Sequence, residues 1–142
     1  MPSHHDGPQS PHFTPLTFKG NFQFPNIEKY SLSKEMIEVL DEAPTGSFTA
    51  WGIPFQINEG IILQDKPFRM SLPPVQARWL VFMHTSDLRP QAINAHGFIS
   101  PMRGQGQLNE HAANYIICFE DGTEVVQPIR RRHQIGMFQR RW

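Results

Sequence analysis

The chain has 142 residues, 13 Lys+Arg against 13 Asp+Glu, and therefore no formal net charge, which leaves no bulk electrostatic case for a nucleic acid or an anionic membrane. A length of 142 residues suits one domain, and 11 Phe, 3 Trp and 2 Tyr supply material for a core. Frequent Pro (13) and Gly (10) favour turns and short strands over long helices, and a single cysteine excludes an internal disulfide framework.

Residues 1–30 read as an extended arm. Pro2, Pro8, Pro11, Pro15 and Pro25 block regular helix and central strand. Phe13, Leu16, Phe18, Phe22 and Phe24 are too apolar for a free tail, and their spacing suggests that the arm lies on a surface of this domain or of a partner. His4, His5 and His12 have no rigid scaffold and no Cys or acid pair spaced to complete a tetrahedron, so no metal is expected. The terminus lacks the basic and apolar regions of a signal peptide, and no apolar run is long enough to span a bilayer, so the expected location is cytoplasmic.

The rest, 31–142, reads as one β domain. A short helix is expected over 33–42, with Ser33 as N-cap, Met36, Ile37 and Leu40 on one face, and Pro44 and Gly46 ending it. From 47 the pattern is β. Residues 47–57 alternate Thr49, Trp51, Ile53, Phe55 and Ile57, with Gly52 and Pro54 marking a bulge or an edge. Residues 60–63 form a short apolar run and 68–72 alternate again. Residues 77–85 are apolar on both faces, Trp79, Val81 and Met83 against Leu80, Phe82 and His84, which predicts a central strand with Trp79 in the core.

A long loop, 86–112, follows. Loops of that length in compact domains are usually functional or poorly ordered. Two β-rich runs then flank Asp121-Gly122, a strong hairpin signal. Cys118 alternates inside an apolar strand and reads as a buried, inert thiol. Arg130, Arg131, Arg132, Arg140 and Arg141 crowd an acid-free end, suited to a solvated edge or an acidic partner.

His84 and Asp87 sit where the expected central strand feeds the long loop; His84 reads first as a structural histidine bonded to loop backbone and second as a ligand contact, since strand ends feeding loops are where sites usually sit. No Gly-x-Ser-x-Gly elbow accompanies them, and no motif pairs two acids as a glycosidase would need, so no catalytic residue is assigned. Gly104-Gln-Gly106 lacks the third glycine of a dinucleotide fingerprint. Trp51 offers an aromatic face that can stack on a sugar. The expected ligand contacts are Trp51, His84, Asp87 and Arg103; the expected interface residues are Phe13, Phe18, Phe22, Phe24, Arg140, Arg141 and Trp142.

Four stretches in order carry a family resemblance: Gly-Ile-Pro-Phe-Gln-Ile at 52–57, Ala-Arg-Trp-Leu-Val-Phe-Met-His-Thr at 77–85, Tyr-Ile-Ile-Cys-Phe-Glu-Asp-Gly-Thr-Glu at 115–124, and Pro-Ile-Arg at 128–130 running on to Ile135-Gly136. This set, over about 47–142, resembles the galactose-binding-like (NPCBM-like) accessory domains of bacterial carbohydrate-active enzymes. The resemblance implies an all-β, antiparallel jelly-roll sandwich, non-catalytic and fused to or packed on a larger catalytic chain. It implies a role in assembly and secondarily in weak glycan recognition. The sequence departs from the pattern in the length of the 86–112 loop and in an end lacking the paired Trp. A structural Ca²⁺ would fit the family, but no Asp/Asn-rich loop marks its site, and no cofactor is assigned. The abrupt Arg-Arg-Trp ending suggests a piece of a larger polypeptide or one chain of an assembly. Two other readings stand beside this one: a small subunit completing the active site of a larger hydrolase or lyase, and a protein-interaction module.

Overall fold

In a computed structural model, residues 6–88, 93–97 and 108–138 are described. The chain is β-rich. Its order is a 3₁₀ helix η1 (Phe24–Lys29), α1 (Lys34–Asp41), β1 (Gly46–Ala50), β2 (Ile53–Ile57), β3 (His111–Cys118) and β4 (Glu124–Arg130). The strands make two antiparallel two-stranded sheets, β1–β2 and β3–β4. Contacts divide the chain into two compact units, Met1–Leu80 and Val81–Trp142. Among the described residues no helix is long and apolar enough to cross a membrane.

In the first unit the helix forms as its sequence dictates. Ser33 Oγ accepts a hydrogen bond from Met36 N–H at 3.1 Å, satisfying one of the orphan donors of the first turn. Met36 is buried beneath it. Residues 47–57, expected as one alternating strand, instead fold back as β1–β2. Gly46 pairs with Ile57, Phe48 with Phe55 and Ala50 with Ile53, leaving Trp51 and Gly52 as a two-residue turn. Phe48 and Phe55 stack across the ladder, ring centroids 5.5 Å apart, and Phe48 is buried.

The arm is not extended throughout, because Pro25 opens η1 near its first turn. Nor is it detached. Phe22 pairs with Gly60, N–H to carbonyl at 3.2 and 2.9 Å, and is buried against Phe24 and Tyr30 at 4.8 and 5.2 Å. Asn21 copies a strand neighbour with its amide: Nδ2 donates to Ile62 O at 2.9 Å and Oδ1 accepts from Ile62 N at 2.8 Å. Gly20 lies so close to the Gly60 carbonyl that any Cβ would collide with it. Phe13, Phe18 and Phe24 are half-buried.

In the second unit β3–β4 is the hairpin that Asp121-Gly122 announced. Phe119 N–H donates to Thr123 O at 2.9 Å and Gly122 N–H to Phe119 O at 3.0 Å, and Gly122 has φ +83°. This is a type I turn followed by a glycine bulge. Asp121 keeps negative φ and contributes through its side chain, whose Oδ1 accepts from Thr123 N–H at 2.9 Å and Thr123 Oγ1–H at 2.6 Å. Those bonds favour the ionised carboxyl and hold it below the usual carboxylate range. The hairpin has an inner face with Tyr115, Ile117 and buried Ile129, and an outer face with exposed Ile116, Cys118 and Val126. Cys118 is therefore not a buried thiol: its register puts it on the outer face, where Sγ contacts Glu124 Oε1 at 3.2 Å.

Neither 68–72 nor 77–85 forms a strand. Apolar character on both faces predicted burial for 77–85, but a strand also needs a hydrogen-bonded neighbour, and among the described residues none pairs with 77–85; a bridge from Ser86 to Met137 lies just beyond. Trp79 is 76% exposed, outside any core. Each hairpin places a proline in its second strand. Counting alternation from the turns, Pro54 opposite Thr49 and Pro128 opposite Asn114 fall in pairs that exchange no hydrogen bonds, so the missing N–H faces outward.

Candidate functional site

The tip of β1–β2 carries Trp51. Trp51 and Gly52 have φ +50° and +75°, the positive pair that a type I′ turn requires. Glycine adopts this freely, and Asn or Asp usually stands at the first position. A tryptophan there costs about 1–2 kcal/mol in backbone strain. The indole gains no compensating burial, since Trp51 is 89% exposed.

The arm braces this tip from one side. Asp6 N–H donates to Thr49 O at 3.1 Å, Gly52 N–H donates to Asp6 O at 3.1 Å, and Ser10 N–H donates to Gly52 O at 2.8 Å. Trp51 N–H donates to Asp6 Oδ2 at 3.2 Å. A Cβ at position 52 would stand 3.3 Å from Pro8 O, so the crossing chain also favours glycine there. The result is an exposed tryptophan whose backbone N–H is held by an exposed carboxylate.

His84 lies in the second unit and ties three segments together. Its Nε2 is 2.7 Å from Gln134 O and its Nδ1 is 2.8 Å from Tyr115 Oη. A carbonyl only accepts, so Nε2 carries the proton and Nδ1 of the neutral ring accepts from the phenol. Burial pushes the Tyr115 phenol up, which keeps it a donor. Phe82 and His84 both stack on the Tyr115 ring, at 4.4 and 5.9 Å. Next to them Ser86 N–H and Oγ–H donate to Gly136 O at 3.0 and 3.2 Å. Arg131 Nη1 reaches Ser86 Oγ at 3.3 Å, and its Nε lies 3.3 Å from Glu110 Oε2.

Asp87 does not join this cluster through His84. Its Oδ1 accepts from Leu88 N–H at 2.6 Å, and both ring nitrogens of His84 are engaged elsewhere. The cluster therefore holds the hairpin, the 82–86 segment and the 134–136 turn in place; a His–Asp proton relay is not assembled. Of the other expected site residues, Arg103, Arg140, Arg141 and Trp142 lie outside the described residues. Among the described residues no three His, Cys, Asp or Glu side chains are grouped to hold a metal ion. A shallow open depression of about 190 Å³ lies against η1 and Asp41 and contains neither Trp51 nor His84.

Sequence reasoning missed Asp6, Tyr115 and Gln134. Tyr115 could have been found from the period of two, which puts it on the same face as Ile117 and Ala113. Asp6 could not, because its contact with Trp51 spans 45 positions. Compared with known protein families, curated proteins and solved structures, the chain matches none.

Proposed function

We propose that the chain is a non-catalytic β-sandwich module, or subunit, of a carbohydrate-active enzyme, and that it serves assembly. The observation that carries this reading is the number of large apolar side chains left exposed in each of the two units taken separately. The outer face of β3–β4 exposes Ile116 and Val126, and the strandless stretch before it exposes Ile61, Leu63, Leu72, Val75, Trp79, Val81, Phe82 and Met83. A sheet with one apolar face needs a second layer, and two strands alone are marginal in water. Surfaces of this kind mark contact with another polypeptide. The enzyme class is what the resemblance of the ordered stretches at 52–57, 77–85, 115–124 and 128–130 implies. The arginines that a salt-dependent docking surface would use are partly engaged within the chain: Arg131 pairs with Glu110, and Arg130 Nη1 donates to Asn109 O at 3.2 Å.

The test is native mass spectrometry of the untagged protein purified from its own source, with glycoside-cleaving activity measured on the same fraction. A complex of the 16.4 kDa chain with a larger, glycan-cleaving polypeptide is the expected result. A lone chain, or a homo-oligomer without such activity, would end this reading.

A further inference from the structure

We infer that the Trp51 tip is a saccharide-contact site for neutral pyranosides, with the indole stacking on the C–H face of one ring and the Asp6 carboxylate accepting its hydroxyls. The inference rests on the reading above for its ligand class and names the site at which this module would meet a glycan.

Three observations carry it. First, Trp51 is 89% exposed at the end of a two-residue turn, where its face is open to solvent. Second, a bulky residue holds φ +50° at a position that Asn, Asp or Gly would occupy without strain. Unrelieved strain at a residue that gains no burial points to a role outside folding. Third, a polar partner is built in. The Asp6 carboxylate stands at the same turn, with Oδ2 on the backbone N–H of Trp51, while Oδ1 takes no hydrogen bond from any described residue. An aromatic plane with an adjacent acceptor is the pair that a sugar ring asks for: C–H groups on one face and hydroxyl donors at the edge.

The carboxylate also sets the class. A uronic acid or a sulfated sugar would bring like charge to Asp6 and be rejected; a neutral hexose or pentose would not. The platform exists before any ligand arrives, because Asp6, Ser10, Thr49 and Gly52 hold it through four backbone-mediated bonds of 2.8–3.2 Å. Binding through one ring face on an open tip is weak, with Kd on the order of 1 mM.

The test uses the full chain labelled with ¹⁵N. The Trp51 indole N–H signal, assigned by its loss in Trp51→Asn, is followed during titration to about 10 mM with cellopentaose, mannopentaose, xylopentaose and a galactan pentaose, and with an oligogalacturonate as charged comparator. The expected result is a saturable shift with at least one neutral probe and none with the oligogalacturonate. Trp51→Asn, which has no indole and is followed through the Gly52 backbone amide, should weaken that binding about tenfold or more while raising Tm, because asparagine relieves the turn. Asp6→Asn, with its altered charge, should let the oligogalacturonate in. No shift with any neutral probe overturns the inference, as does affinity unchanged in Trp51→Asn. If Trp51→Asn instead alters the mass of the native complex while no sugar shifts the indole, the tip is a protein contact and the saccharide assignment falls. The titration needs only the chain itself, so its failure leaves the partner experiment standing, and the absence of a partner leaves the titration standing.

Discussion

Replacing Phe22 with alanine tests whether the arm belongs to the core of the first unit. Phe22 is 4% exposed, packs edge-on against Phe24 and Tyr30, and exchanges backbone bonds with Gly60. Truncating a buried Phe to Ala costs about 3–5 kcal/mol. Phe24 and Tyr30 are only half-buried and can close part of the gap, which favours the lower end, about 3 kcal/mol. The two aromatic pairs, about 0.5–1.5 kcal/mol each, are contained in that figure. A loss of this size is a large share of the 5–15 kcal/mol typical of a domain. Urea denaturation followed by circular dichroism should show the midpoint falling by about 1 M or more at m-values of about 1–3 kcal/mol/M. Amide exchange at Phe22 and Gly60 should quicken in step. A loss below about 1 kcal/mol with both amides still protected would refute the reasoning and make the arm an ornament of the unit.

Two glycines should fail for different reasons. Gly20→Ala drives a Cβ into the Gly60 carbonyl and should destabilise the first unit by about 1–3 kcal/mol, whereas Gly122→Ala meets nothing but must hold φ +83°, costing about 1–2 kcal/mol; differential scanning calorimetry of both variants checks this. Asp121 has its folded pKa depressed by Thr123, so its contribution to the β3–β4 turn is present above the ordinary carboxylate pKa and is lost as pH falls through the folded value. The protection factor of the Thr123 amide, its exchange relative to an unstructured amide at the same pH, should therefore fall on acidification in the wild type and be insensitive to pH in Asp121→Ala. Tyr115 has its folded pKa raised, so the second unit should lose stability as pH climbs through the ordinary phenol value, about 10, and Tyr115→Phe should remove that dependence at a cost of about 1 kcal/mol for the unpartnered Nδ1 of His84.

Local features were legible in the sequence and long-range ones were not. The Ser33 cap acts over three residues and could be read directly. The β3–β4 hairpin was equally visible, although Asp121 works through its carboxylate and not through a left-handed backbone. The β1–β2 hairpin was misread as one strand because its turn has only two residues, so the alternation of 47–57 runs through it almost undisturbed. Pairing Phe48 with Phe55 joins an even position to an odd one, which swaps the faces that the alternation had suggested. Residues 77–85 look central because both faces are apolar, yet apolarity names no neighbour to pair with. The same limit governs the candidate sites. His84 meets Tyr115 and Gln134 across 31 and 50 positions, and no spacing rule reaches that far. Trp51 was visible as an aromatic; its strained turn and its carboxylate neighbour exist only once the chain is folded.

The two outward-facing prolines close the second-strand edge of each hairpin. A strand approaching β2 or β4 from outside would face a missing donor at Pro54 or Pro128, and at β4 would also find Arg130 N–H already given to Gln134 Oε1 at 2.8 Å. Both sheets are thus terminated on the side of their second strand. At β1 the other side is already touched by Asp6. At β3, Asn114 and Ile116 present their outer backbone groups on a stretch without proline, Asp, Glu, Lys or Arg. A sheet sealed along one border cannot propagate indefinitely: two such hairpins joined edge to edge make four strands and stop, which allows pairing while excluding fibres built by repeated addition to that sheet.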